Sequence, residues 1–205
     1  MQLDKYSNLD PYTNKDGVLK NKLNITDEKI LEKKERNITW FRSIELNQKP
    51  INGKFDLNHL QKIHYHLFQD IYSWAGKIRT VDISKGESRF CSHRFIQSYC
   101  QKIANELKKQ NFLSNLSCQE FCHQAAYFLG EYNAVHPFRE GNGRTIRYMI
   151  EQLANQNNYT IHWENMTKDE MIHASEISTI QGDNSLLEQM LIENIEIKNT
   201  AGKAF

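Results

Sequence analysis

Between Asp56 and Ile71 the apolar residues Leu57, Leu60, Ile63, Leu67, Phe68 and Ile71, with His64 among them, recur every three or four positions. That is the spacing of a helix with one face on a core, and Asp56 is its expected N-cap. Upstream, Thr26 followed by Asp27 and Glu28 reads as another helix start. The spacing of Ile30, Trp40, Phe41 and Ile44 fits one long helix that ends before Pro50. Ser117-Cys-Gln-Glu120 and Thr167-Lys-Asp-Glu170 are Ser/Thr-x-x-Glu capping boxes, each opening an amphipathic segment. Only Arg79–Phe90 alternates with a period of two. There Val81 and Ile83 stand against Asp82 and Ser84, Lys85-Gly86-Glu87-Ser88 supplies a turn, and Arg89 and Phe90 resume. The pattern predicts an all-α domain with one β-hairpin. No internal repeat, low-complexity linker or composition shift marks a boundary, so residues 1–205 read as one domain.

Composition agrees with a single core: 205 residues, 39% hydrophobic and 11% aromatic. Lys and Arg number 26 against 25 Asp and Glu, a net charge of +1. Such a balance creates no global field for nucleic acid or an anionic membrane, and any bound anion must be caught locally. No apolar run approaches the roughly 20 residues of a membrane span, and the polar start lacks a signal-peptide layout, so a cytoplasmic protein is expected. The four cysteines read as thiols. Cys118, Cys122 and His123 lack a second ligand pair at zinc spacing and read as packing. His64 and His66 fall on opposite helix sides and cannot share a metal. Lys33–Arg36 reads as a solvated helix face, and Trp163 and Met166 as core packing, with the border of an adenine pocket as the other reading.

The concentrated chemistry lies in His136-Pro-Phe-Arg-Glu-Gly-Asn-Gly-Arg-Thr145. Pro137 disfavours helix at the residue before it, so the helix from Ser117 should end near Val135 and leave His136 at its edge. Phe138 can anchor the loop. Gly141 and Gly143 permit dihedrals that turn successive N–H groups to one side, and the following helical pattern places them at a helix N-terminus, where an anion is favoured. Arg144 and Arg147, three apart, share a helix face and can brace more distal phosphates. Glu140 supplies a hard oxygen for magnesium, which usually takes one or two protein carboxylates beside phosphate. A neutral His136 could accept a proton from an incoming hydroxyl. No Gly-Lys-Ser/Thr follows, which excludes a Walker loop. These residues point to phosphoryl or nucleotidyl transfer.

The stretch resembles the Fic family, whose signature His-x-Phe-x-Asp/Glu-Gly-Asn-Gly-Arg-x-x-Arg is matched at every fixed position from His136 to Arg147. Asp70–Phe90 is similar to the family's approach helix and flap, and the likeness runs from about residue 30 to about 195, with a catalytic core over about 30–182. The resemblance implies a helical bundle with one flap hairpin, and transfer of AMP from ATP to a hydroxyl of a target protein. It implies His136 as the base, Glu140 as the magnesium ligand, and Phe138 as the anchor. Asn142 and the Gly141 and Gly143 amides would hold the alpha phosphate, Arg144 the beta and Arg147 the gamma phosphate. Arg139 and Thr145 join the nucleotide-binding set, and Lys85 and Gly86 at the flap turn are expected to touch ATP. Val81, Asp82, Ile83 and Ser84 would dock the target by strand addition. In the kinase-like Doc branch lysine replaces the second glycine; Gly143 here implies AMP transfer. Phosphocholine transfer and AMP removal are further chemistries of the same motif and fold, and a catalytically inactive nucleotide-binding module is another reading.

Many members carry a Ser/Thr-x-x-x-Glu-Gly/Asn helix whose glutamate occupies the second arginine. Ser185–Ile197, in a segment of about 184–198, is the expected place, with Glu193 and Asn194 closing the motif although Gln189 stands where serine or threonine belongs. Glu188 and Glu45 are rivals, and a plain bundle-closing helix is the other reading. The target protein is open. Self-modification in the last segment would use Ser185 or Thr200, and homo-oligomers are compatible with the resemblance.

Overall fold

The structure is a computed structural model and describes residues 10–198; Thr200 lies outside them. Seven α-helices and two short strand pairs are formed in this range. In chain order they are α1 (Glu28–Gln48), α2 (Leu57–Phe68), β1 (Ser84–Lys85), β2 (Ser88–Arg89), α3 (Ile96–Lys109), α4 (Cys118–Val135), α5 (Asn142–Gln156), β3 (Tyr159–Ile161), α6 (Lys168–Gln181), α7 (Ser185–Glu193) and β4 (Ile195–Ile197). None of the described helices is long and apolar enough to cross a membrane.

The helix starts follow from their caps. Asp27 accepts from the Ile30 N–H at 2.9 Å, one residue later than Thr26, and Asp56 accepts from the His59 N–H at 2.9 Å. Both capping boxes close: Glu120 N–H donates to Ser117 Oγ and Ser117 N–H to Glu120 Oε2, with the same exchange between Thr167 and Glu170. α4 is the central helix and packs against α3, α5, α6 and α7. It buries Phe121, Ala125, Phe128, Leu129 and Tyr132, while α2 brings the stripe Leu60, Ile63, His64, Leu67 and Phe68 against α5. Burying side chains of this size stabilises by about 1.5–3 kcal/mol each before conformational entropy is subtracted.

Four details differ from the sequence pattern. The apolar residues that mark α1 are not its buried face: Trp40 is 59% and Phe41 63% exposed, while Leu31, Glu35, Thr39 and Leu46 face inward. Lys33–Arg36 is correspondingly not wholly solvated, because Glu35 is buried in an ion pair with Arg144. The hairpin is shorter than the alternation predicts, with strands only at residues 84–85 and 88–89. Asp82 does not extend the ladder; its carboxylate accepts from the His93 N–H at 2.6 Å and from Ser92 Oγ at 3.3 Å. A second antiparallel pair, β3 with β4, adds to the one expected hairpin and pairs Tyr159 with Ile197 and Ile161 with Ile195. The last helix thus stops at Glu193, and Ile195-Glu-Ile197 alternates as β-branched strand residues do.

Candidate active site

The site forms where α4 ends and α5 begins. His136 caps α4 with φ 49°, its N–H donating to the Tyr132 carbonyl at 3.0 Å. Pro137 disfavours the ordinary helical conformation at this position, and His136 takes the left-handed one that ends α4. The ring stacks on Phe90 from the far leg of the hairpin, centroids 3.8 Å apart. Nδ1 lies 3.1 Å from the Asn133 carbonyl, which can only accept, so Nδ1 carries the proton and Nε2 keeps its lone pair. Burial pushes the His136 pKa down to about 4, and the Arg79 and Lys85 charges push the same way against the Asn133 bond. The ring is therefore neutral at neutral pH, with Nε2 ready to take a proton.

The loop after His136 is locked from below. Phe138 is fully buried, and its ring stacks on His64 at 4.0 Å, which in turn stacks on Phe68 at 4.6 Å. His64 Nδ1 accepts from the Gly76 N–H at 2.8 Å, leaving Nε2 to donate to the Glu140 carbonyl at 2.9 Å. Burial holds His64 neutral, with its pKa pushed down to about 3. Asn142 closes the turn: its Oδ1 accepts from the Phe138 N–H and its Nδ2 donates to the Phe138 carbonyl, both at 2.7 Å. Gly141 has φ 79°, and a Cβ there would stand 2.2 Å from the Phe68 ring, so no other residue fits this position without displacement.

The N-terminus of α5 has Gly141 as its cap residue and no side-chain cap. Its first amides, at Asn142, Gly143 and Arg144, have no hydrogen-bond partner among the described residues. Such donors, with the positive end of the helix dipole, favour an anion. Gly143 is helical and is not a second left-handed residue; its role is room, since a Cβ would meet Arg147 Nη1 at 3.3 Å. Arg147 forms no ion pair among the described residues, and burial beside Arg144 lowers its pKa. Arg144 reaches Glu35 of α1, donates to Thr39 Oγ1 at 3.2 Å and lies 4.7 Å above the Phe68 ring. Tyr72 donates to the other oxygen of Glu35.

The expected residues therefore converge, with changed duties for some. Glu140 is 45% exposed, 3.6 Å from Arg144, and one oxygen accepts from the Gly141 N–H. The Asn142 side chain is spent on the loop, leaving its backbone amide for a ligand. Thr145 is buried and its hydroxyl donates back to the Gly141 carbonyl at 2.9 Å. Arg139 is paired with Asp10, Nη2 to Oδ2 at 2.7 Å. Lys85 ends β1 opposite Ser88, and Gly86 with Glu87 makes the hairpin turn. The three inhibitory candidates have other partners: Glu193 accepts from Gln189, Glu188 meets His123 at 2.7 Å, and Glu45 pairs with Arg42. Asn194 ends α7 with its side chain on the Met190 carbonyl. Arg79, His64, Glu35 and Phe90 were not read from the sequence as site residues. Only Glu35 left a signal, since Leu31, Glu35 and Thr39 are four apart on one helix face.

A helical bundle that ends one helix on a neutral histidine and opens the next with uncapped amides and two arginines defines a phosphate-binding transfer site under a hairpin. The chain belongs to the Fic family: the Fic/DOC family profile matches residues 54–154. Over 179 residues it is 32% identical to the probable protein adenylyltransferase Fic of Escherichia coli, covering 87% of each chain. It is 44% identical over 187 residues to the protein adenylyltransferase VbhT of Bartonella schoenbuchensis, spanning 91% of this chain but only 39% of that protein's length. Among solved structures, BepC of Bartonella tribocorum with bound AMPPNP superposes with a TM-score of 0.87 at 26% identity, covering 92% of this chain and 97% of that one. The N-terminal Fic domain of a Bartonella quintana effector with bound ADP superposes with a TM-score of 0.86 at 27% identity, covering 92% and 96%.

Proposed function

We propose that this chain is a protein adenylyltransferase, moving AMP from ATP to a hydroxyl side chain of a target protein. The observation that carries the reading is a neutral His136, fixed through Nδ1, at the mouth of the uncapped N-terminus of α5. Nε2 takes the proton of the target hydroxyl as its oxygen bonds to the alpha phosphorus. The bond from that phosphorus to the bridging oxygen breaks, and pyrophosphate leaves. The first amides of α5 hold the alpha phosphate, while Arg144 and Arg147 brace the beta and gamma phosphates, stabilising charge as it develops. The names of the relatives and the nucleotides bound in the similar structures support the same activity.

Glu140 fits a magnesium site: its carboxylate is part-exposed beside the phosphate-binding amides, and no cluster of three metal-binding side chains exists among the described residues. A single carboxylate completed by phosphate oxygens is the usual arrangement for this ion, which would neutralise charge on the nucleotide. Gly143 leaves space beside Arg147 and suits AMP transfer over phosphate transfer. The hairpin, whose far leg covers His136 through Phe90, is the surface for the target backbone.

The test supplies alpha-labelled or gamma-labelled ATP with magnesium to a cell lysate and to the protein itself. Alpha label on protein with no gamma label is expected. Gamma label alone makes the chain a kinase and overturns the reading.

A further inference from the structure

Arg79 lies in the connection between α2 and the hairpin with none of its side chain exposed. Its nearest carboxylate oxygen is Asp82 Oδ1 at 3.8 Å, on a side chain 63% exposed and already bonded to His93. The guanidinium turns instead to backbone oxygens. Nε donates to the His136 carbonyl at 2.8 Å and Nη1 to the Val81 carbonyl at 2.6 Å. Nη2 donates to the Cys91 carbonyl and to the Val135 carbonyl at 3.2 Å. The Arg79 N–H also donates to the Pro137 carbonyl at 3.0 Å, and the Cys91 N–H donates to the Ala134 carbonyl at 2.9 Å.

These acceptors form two groups. Ala134, Val135 and His136 carry the last carbonyls of α4, which have no helical partner and sit at the negative end of the helix dipole. Val81 and Cys91 flank the hairpin, the one before β1 and the other after β2. A buried charge without a close ion pair is costly unless its donors are all used, and a planar fork of five N–H groups can reach four oxygens where a lysine ammonium cannot. We propose that Arg79 is a positioning residue that registers the hairpin against His136, setting how far a hydroxyl presented by the hairpin stands from the base. Its consequence for rate rests on the adenylyltransferase reading above; the coupling itself does not.

The phosphate-binding half of the site is held by other contacts, those of Asn142 with Phe138, His64 with the Glu140 carbonyl, and Gly141 with Phe68. Loss of Arg79 should therefore separate transfer from nucleotide binding. The experiment compares wild type, Arg79→Lys and Arg79→Met by amide hydrogen exchange, by AMPPNP titration with magnesium, and by initial rates of alpha-label incorporation into lysate proteins and itself. Arg79→Lys keeps the charge and serves if the methionine variant fails to fold.

In both variants, amides of residues 81–91 and 134–138 should exchange together about tenfold faster, the equivalent of losing one charge-assisted hydrogen bond. AMPPNP affinity should stay within about threefold, as for sites without shared partners. The kcat of transfer should fall about 100-fold, the scale for a small misplacement of reacting groups, with the KM for ATP unchanged. Exchange that rises over the whole chain, nucleotide affinity that falls in step with transfer, or full function with lysine would each overturn the proposal. If wild type incorporates no label, the adenylyltransferase reading fails by itself, and the exchange data still decide whether Arg79 couples the two segments.

Discussion

The starts of α4 and α5 are consecutive helix N-termini built on opposite plans. At α4, Ser117 and Glu120 satisfy each other's amides, and the acidic residue meets the helix dipole. At α5, Gly141 offers no side chain and the first amides stay open, with Arg144 and Arg147 on the first turns and Glu140 bonded to the Gly141 N–H. The first plan is complete within the chain, and the second leaves its amides open to an anion. The price of leaving α5 open is met from beneath, where the stacked rings of Phe138, His64 and Phe68 hold the turn in place.

Substitutions can break this contrast in graded ways. Gly141→Ala forces a Cβ against Phe68 at a left-handed position. It should destabilise the fold by about 3 kcal/mol, seen in denaturant unfolding, and remove AMPPNP binding in a titration. Acid attacks the same turn. His64 has a folded pKa of about 3 against an ordinary value of 6.5, so between those pH values the unfolded chain binds the extra proton. Stability should then fall as pH drops below 6.5, by up to about 1.4 kcal/mol per pH unit from this ring, and a His64→Gln variant should show a flatter profile in thermal melts. Ser117→Ala opens the capped helix and should cost about 1 kcal/mol of stability, with AMPPNP affinity unchanged. Glu193→Gly, at the end of α7, should leave alpha-label incorporation as in wild type, because Glu193 bonds Gln189 and forms no ion pair with Arg147 among the described residues. A sharp rise would restore the inhibitory role.

What could be read from the sequence follows from how local each interaction is. The capping boxes, Asp56, the end of α4 at Val135 and the run from His136 to Arg147 all involve neighbours a few residues apart. Their chemistry is visible in the order of residues. The supports are not local. Glu35 meets Arg144 across 109 positions, His64 meets Glu140 across 76 and Arg79 meets His136 across 57. In the sequence Glu35 looks like one charge in a solvated run and Arg79 like a polar residue before a strand. The short final helix was missed for another reason: Ile195–Ile197 continues an apolar pattern that suits either element, and only pairing with Tyr159–Ile161 makes it a strand.

On the proposed reading, the α5 N-terminus binds the nucleotide and His136 performs the proton transfer. Alpha-label incorporation at saturating ATP by His136→Ala against wild type tests it most directly. A loss of about 10²–10⁴-fold is expected, the usual contribution of a general base, in a variant that still binds AMPPNP. Incorporation at the wild-type rate would contradict it and place the base elsewhere.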